Sequence, residues 1–101
     1  MSFDMYLESE RAFIDHHEEG IFQLSINDDS YPQLNWIWDN YYKSPQVSPE
    51  IANNLVHELI QLKEKVYPKN DNKHLVNAID RVLPFFSKAY KNGIVIKCKS
   101  D

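Results

Sequence analysis

The stretch from Ser48 to Tyr67, SPEIANNLVHELIQLKEKVY, constrains the fold most, because it predicts one long amphipathic helix. Ser48 followed by Pro49 is typical of a helix start, since the hydroxyl can accept a hydrogen bond from a backbone N–H and proline fits the first turn. Pro68 follows the last apolar residue and is typical of a helix end. Between these signals, apolar residues recur at steps of three and four and form one stripe, at Ala52, Leu55, Leu59, Leu62 and Val66.

The rest of the chain predicts two more helices and a small sheet. Residues 31–43 and 73–92 carry apolar side chains at helical spacing, and each predicts a helix. The segments 2–7 and 94–99 alternate between apolar and polar residues, so we expect two strands that share one sheet, because neither is stable alone. A chain of 101 residues is the size of one domain. We therefore expect a single α+β domain over residues 1–101, with a small antiparallel sheet from the chain ends packed on about three helices.

The segment between residues 8 and 26 gives a mixed pattern. Phe22, Leu24 and Ile26 alternate with polar residues after Gly20, which predicts a further strand. A short helix around residues 15–25 is the alternative, and the pattern leaves both open.

Charge divides the chain into two unlike halves. Residues 1–50 carry ten acidic and two basic residues, a net charge of −8, whereas residues 51–101 carry five acidic and nine basic residues, a net charge of +4. An acidic surface repels nucleic-acid phosphates and attracts basic proteins, although such charges can also serve solubility alone. The acids that fall close together around predicted turns form the candidate binding face: Asp15, Glu18, Glu19, Asp28, Asp29 and Asp39.

Four aromatic residues cluster in the same half, at Trp36, Trp38, Tyr41 and Tyr42. Trp38 and Tyr41 fit the apolar face of the predicted helix and are expected in the core. Trp36 and Tyr42 fit a surface position equally well, and Trp and Tyr are the usual anchors of protein interfaces. Because acids flank the cluster, it does not have the composition of a nucleic-acid site. We expect a basic protein as the partner, with Trp36 and Tyr42 as contacts, and neither nucleic acid nor a membrane.

Two histidine motifs suggest metal chemistry, and both lack a necessary feature. His16 and His17 are neighbours, so their side chains point apart and one metal ion cannot easily take both. The run from His57 to Gln61 has the form of a helical zinc-protease motif, but Gln61 occupies the place of the second histidine. We therefore expect no metal, no cofactor and no enzymatic activity. The alternatives are a small hydrolase or metal-dependent enzyme that uses His16, His17 or His57, or a structural interaction domain.

The single cysteine and the hydropathy pattern indicate the compartment. Cys98 cannot form an internal disulfide, and it alternates with Lys97 and Lys99, so we expect it to be a small buried residue. The chain has no signal-peptide pattern at its start and no apolar run near ~20 residues. A cytoplasmic location is therefore expected.

One extended pattern resembles a known group of proteins: Tyr31-Pro32-x-Leu34, then Trp38-x-x-Tyr41-Tyr42, Ser48-Pro49 and Leu55-Val56-x-Glu58-Leu59. Together with the initial SFDMYL, it is similar to small bacterial immunity-type proteins that neutralise toxins, as in contact-dependent inhibition systems. The pattern covers about half of the chain. The resemblance implies tight binding of a cognate toxin domain, typically a basic nuclease, and it implies no active site.

Overall fold

The computed structural model describes residues 2–66 and 73–100 as one α+β unit. Four helices and a four-stranded antiparallel sheet make up this part of the chain, which confirms the predicted fold class. The elements in chain order are β1 (Ser2–Leu7), β2 (Glu10–Asp15), a 3-10 turn (His16–Glu18), α1 (Gly20–Ser25), α2 (Pro32–Asp39), β3 (Gln46–Val47), α3 (Pro49–Val66), α4 (Lys73–Asn92) and β4 (Ile96–Ser100).

The two chain ends lie side by side in the sheet, whose strand order is β2-β1-β4-β3. Met5 of β1 is paired with Ala12 of β2 on one side and with Cys98 of β4 on the other. This confirms that the first and last segments share one sheet. Phe3, Met5 and Leu7 are fully buried on its inner face, which packs against the helices.

The long helix α3 forms where the apolar stripe predicts it. All five stripe residues are buried, and the hydroxyl oxygen of Ser48 accepts a hydrogen bond from the backbone N–H of Ile51 at 3.2 Å. Its described part ends at Val66, so the predicted last residue Tyr67 and the stop at Pro68 lie outside the described residues. The helix α4 packs along α3 and buries Leu75, Val76, Ala78, Ile79, Val82, Phe85, Phe86 and Ala89.

Of the two structures left open after Gly20, the strand is wrong and the short helix is confirmed, because this segment is the helix α1. Ile21, Phe22 and Ser25 are buried at helical spacing, and the Ser25 hydroxyl donates to the carbonyl oxygen of Ile21 at 3.1 Å. The apolar residues Leu24 and Ile26, which produced the alternation, are exposed instead. The additional strand of the sheet lies earlier in the chain than Gly20, at β2 (Glu10–Asp15).

The predicted helix over 31–43 is shorter than expected, since α2 ends at Asp39. Tyr41 follows α2 and is buried, with its ring centroid 4.8 Å from that of Phe3. Trp38 is partly buried and stacks on Phe22 at 5.3 Å. These contacts attach the C-terminal end of α2 to the core. None of the described helices combines the length and apolarity needed to cross a bilayer.

Candidate partner-binding surface

A buried carboxylate on α3 fixes the start of α2. Glu58 accepts hydrogen bonds from the backbone N–H of Gln33 at 3.0 and 3.1 Å and from that of Leu34 at 3.0 Å. Tyr31, at the N-cap position, makes no capping bond with its own side chain, so Glu58 supplies the cap from another helix. Burial raises the pKa of Glu58 above its ordinary value, and the two backbone donors act in the opposite direction. The position of α2 is thus set by α3.

The loop before α2 is also held in place, through Asn35. The Asn35 side chain accepts from the backbone N–H of Asn27 at 3.2 Å and donates to the carbonyl oxygens of Asp28 and Tyr31, both at 3.0 Å. Asp39 is four residues after Asn35, about 6 Å further along the same side of the helix. The loop backbone at Asn27 and Asp28 therefore lies against the side of α2 that also carries Asp39.

Two aromatic residues accompany these acids. Trp36 is partly buried against the core. It lies three residues before Asp39, and residues at this spacing are neighbours on a helix surface. Tyr42 is 70% exposed, and its ring centroid lies 5.0 Å from that of the buried Tyr41. The group of Asp28, Asp29, Trp36, Asp39 and Tyr42 is called the α2 surface below.

The acids of the α2 surface have no basic partner in the part of the chain that the structure describes. Residues 12–42 contain six acids and neither lysine nor arginine. Within residues 2–66 and 73–100, no basic side chain lies at ion-pair distance from Asp28, Asp29 or Asp39. Four other acids do have such partners: the pairs are Asp4–Arg11, Glu10–Lys88, Glu18–Arg81 and Asp80–Lys63. Unpaired negative charge therefore accumulates beside α2.

Glu18 lies inside the protein, although the sequence places it on the candidate face. Its side chain is 5% exposed, pairs with Arg81 and accepts the backbone N–H of Asp15 at 3.0 Å. Burial acts to raise the pKa of Glu18, but the hydrogen bonds from Arg81 and Asp15 and the charge of Arg81 outweigh burial and lower it. Arg81 also donates to the carbonyl oxygen of Phe13 at 3.1 Å. Glu18 thus joins α4 to the end of β2 and does not belong to the α2 surface.

The remaining two predicted acids take different positions. Glu19 is partly buried, accepts from the Tyr41 hydroxyl at 3.3 Å and lies 3.2 Å from Nδ1 of His16. It therefore contacts the segment after α2, next to Tyr42. Asp15 belongs instead to the end of β2, beside His17 and Glu18.

Potential metal ligands meet at this end of β2. Ligand atoms of Asp15, His17 and Glu18 all lie within 4.8 Å of one another. The guanidinium of Arg81 already forms an ion pair with the Glu18 carboxylate, and its positive charge repels a second cation there. His16 turns toward Glu19 instead, in keeping with the divergence expected of adjacent histidines.

The other histidine motif has a structural use. His57 is exposed, and Glu58 of the same motif is the cap of α2. Sequence reasoning missed this role. One signal was present: Glu58 lies three residues after Leu55, on the buried side of α3. A carboxylate at such a position needs an internal partner.

Comparison with known proteins gives no match: no protein-family model, no curated protein and no solved structure matches the chain. The α2 surface is therefore interpreted from its own geometry and charge.

Proposed function

We propose that this chain is a cytoplasmic immunity-type protein that binds a basic bacterial toxin domain through the α2 surface and neutralises it without catalysis. The observation that carries the proposal is the set of three acids without basic partners among the described residues. One of them, Asp39, lies one helical turn after Trp36 and three residues before the exposed Tyr42. The lone buried cysteine is consistent with a reducing compartment.

Rigidity of the α2 surface favours binding. Glu58 caps the start of α2, Asn35 holds the preceding loop, and Tyr41 attaches the end of the helix to the core. A surface that is already ordered loses little conformational entropy when a partner binds. The acids and aromatics can therefore meet a partner in the geometry they already have.

Charge and aromatic area have separate tasks in this proposal. Complementary charge accelerates the encounter of two proteins, whereas buried aromatic anchors slow their separation. Leu24 and Ile26, exposed just before the acidic loop, add apolar area nearby. A nuclease needs a basic site to hold phosphates, so an acidic surface seated there excludes the substrate.

Protection of growing cells tests the proposal. The probe is a toxin domain identified by sequencing the genes that neighbour the gene for this chain, expressed under an inducible promoter with or without the chain. We expect the chain to restore growth and to co-purify with the toxin domain. Trp36→Ala combined with Tyr42→Ala should abolish protection, whereas Tyr90→Ala, which removes an exposed aromatic on α4, should not. Failure of the unaltered chain to protect, while it accumulates as folded protein, would contradict the proposed function.

A further inference from the structure

The outer face of the sheet carries a second charged surface, opposite in sign to the α2 surface. Side chains alternate across β1, so that Tyr6 points away from the core and is 40% exposed, while its neighbours Met5 and Leu7 are buried. Arg11 of β2 and Lys97 and Lys99 of β4 are exposed. The proposed function makes no use of these four residues, which are called the sheet face below.

The strand register places the aromatic ring between cations. Tyr6 is paired with Arg11 across one side and with Lys97 across the other. Directly opposed residues in an antiparallel sheet have Cβ atoms about 5 Å apart, so both cations border the tyrosine ring. Lys99 lies two residues further along β4, on the same face and about 7 Å away.

Positive charge on the sheet face is only partly compensated. Arg11 pairs with Asp4 at 2.6 Å, and Asp4 is almost fully buried. Lys99 is directly opposite the same Asp4 in the register of β1 and β4, whereas Lys97 is opposite Tyr6 and Gln46. At one edge, the guanidinium of Arg81 lies over the Phe13 ring, 4.6 Å from its centroid, but its charge is paired with Glu18.

We propose that the sheet face binds single-stranded nucleic acid, with a base stacked on Tyr6 and phosphates held by Arg11, Lys97 and Lys99. An exposed ring bordered by cations on a flat sheet meets both demands of a single strand, since bases need a stacking surface and phosphates need positive charge. An acidic peptide supplies the charge but no flat ring for Tyr6. The sequence predicted no nucleic-acid partner because acids surround the aromatics near α2, and that reason does not extend to the sheet face.

Fluorescence anisotropy with a labelled single strand of about 10 nucleotides, as RNA and as DNA, tests this proposal at several salt concentrations. Tyr6→Leu should weaken binding about tenfold, whereas Tyr6→Phe, which keeps the ring, should bind nearly as well as the unaltered chain. Replacing Lys97 and Lys99 with Gln should reduce the slope of log affinity against log salt by about 1.4, or about 0.7 for each lost phosphate contact. The matched control replaces Lys65 and Lys91 with Gln, the same change in charge on exposed helix positions, and should preserve the slope.

Several results would overturn the proposal. One is the absence of binding by the unaltered chain at low salt, and another is equal weakening by the two lysine pairs. A polyglutamate peptide could displace the labelled nucleic acid, and Tyr6→Leu could leave the binding of both the nucleic acid and the peptide unchanged. These two results together would assign the sheet face to acidic proteins. Circular dichroism checks that each variant folds. If Tyr6→Leu does not fold, the comparison of the Lys97 and Lys99 variant with the Lys65 and Lys91 variant tests the proposal. Variants of the sheet face should leave toxin binding unchanged, so failure here is distinct from failure of the proposed function.

Discussion

The Oε1 atom of Glu58 lies 3.0 Å from the backbone nitrogen of Leu34. This bond joins the helix that organises the core to the helix that carries the candidate binding surface. Because the carboxylate is buried and bonds two successive backbone N–H groups, it fixes both the position and the direction of the start of α2. The orientation of Trp36 and Asp39 therefore depends on a residue that faces the interior.

Removal of this carboxylate should destabilise the protein. We expect Glu58→Ala to lower the free energy of unfolding by about 1–3 kcal/mol, because the N–H groups of Gln33 and Leu34 lose their acceptor. Glu64→Ala, at an exposed position of the same helix, is the control and should change it by less than about 0.5 kcal/mol. Urea denaturation measures both, and equal effects of the two substitutions would show that the cap is unimportant.

The stability contributed by Glu58 should depend on pH. Burial raises the pKa of Glu58 in the folded state, so the folded protein holds the proton more strongly than the unfolded chain does. The stability gained from this proton is fully present below the unfolded pKa and is lost as pH rises through the folded pKa. Relative to Glu58→Gln, which does not titrate, the unaltered protein should lose stability over that pH range. A constant difference across the range would contradict this assignment.

The ion pair of Glu18 and Arg81 should show the opposite dependence. The pKa of Glu18 is lowered in the folded state, so its contribution is present above the unfolded pKa and is lost as pH falls through the folded pKa. We expect Glu18→Gln to destabilise the protein by about 1–3 kcal/mol at pH 7 and by less in acid. Asp80→Asn, which breaks the exposed pair with Lys63, is the control and should have an effect below about 1 kcal/mol. Thermal unfolding at a series of pH values compares the two.

The thiol of Cys98 should be inert in the folded protein. Burial raises its pKa to about 12, so almost no thiolate exists near pH 8. We expect iodoacetamide to leave native protein unmodified at pH 8 and to modify it fully in urea, as read by mass spectrometry. Rapid modification without denaturant would show that β4 opens readily.

The sequence predicted those helices and strands in which apolar residues recur at a single regular spacing and are buried. Alternation located β1 and β4, and the three–four spacing located α3 and α4. The segment of α1 misled the same reasoning, because Leu24 and Ile26 are exposed and Ser25 is buried with its hydroxyl bonded inside the helix. In β2, three consecutive apolar residues, Ala12 to Ile14, hid the alternation.

The candidate site could be predicted in part. Acids and aromatics near α2 were recognisable from composition, and Tyr42 is indeed exposed. The internal role of Glu18 was not recognisable, because Arg81 is 63 residues away along the chain. The cap by Glu58 similarly joins residues 24 and 25 positions apart, a relationship that only the packed structure contains.

Association kinetics with the cognate toxin domain test the proposed role of the α2 surface most directly. The variant replaces Asp28, Asp29 and Asp39 with Lys, and the matched control replaces Glu8, Glu50 and Glu64 with Lys, three exposed acids without basic partners among the described residues. Because charge near an interface governs the encounter rate, the first variant should associate at least about tenfold more slowly and the control much less so. Added salt should slow the unaltered chain, since surface charge is screened beyond about 10 Å at 0.1 M ionic strength. Equal association rates for the unaltered chain and the first variant, with unchanged thermal unfolding, would contradict the role of the α2 surface.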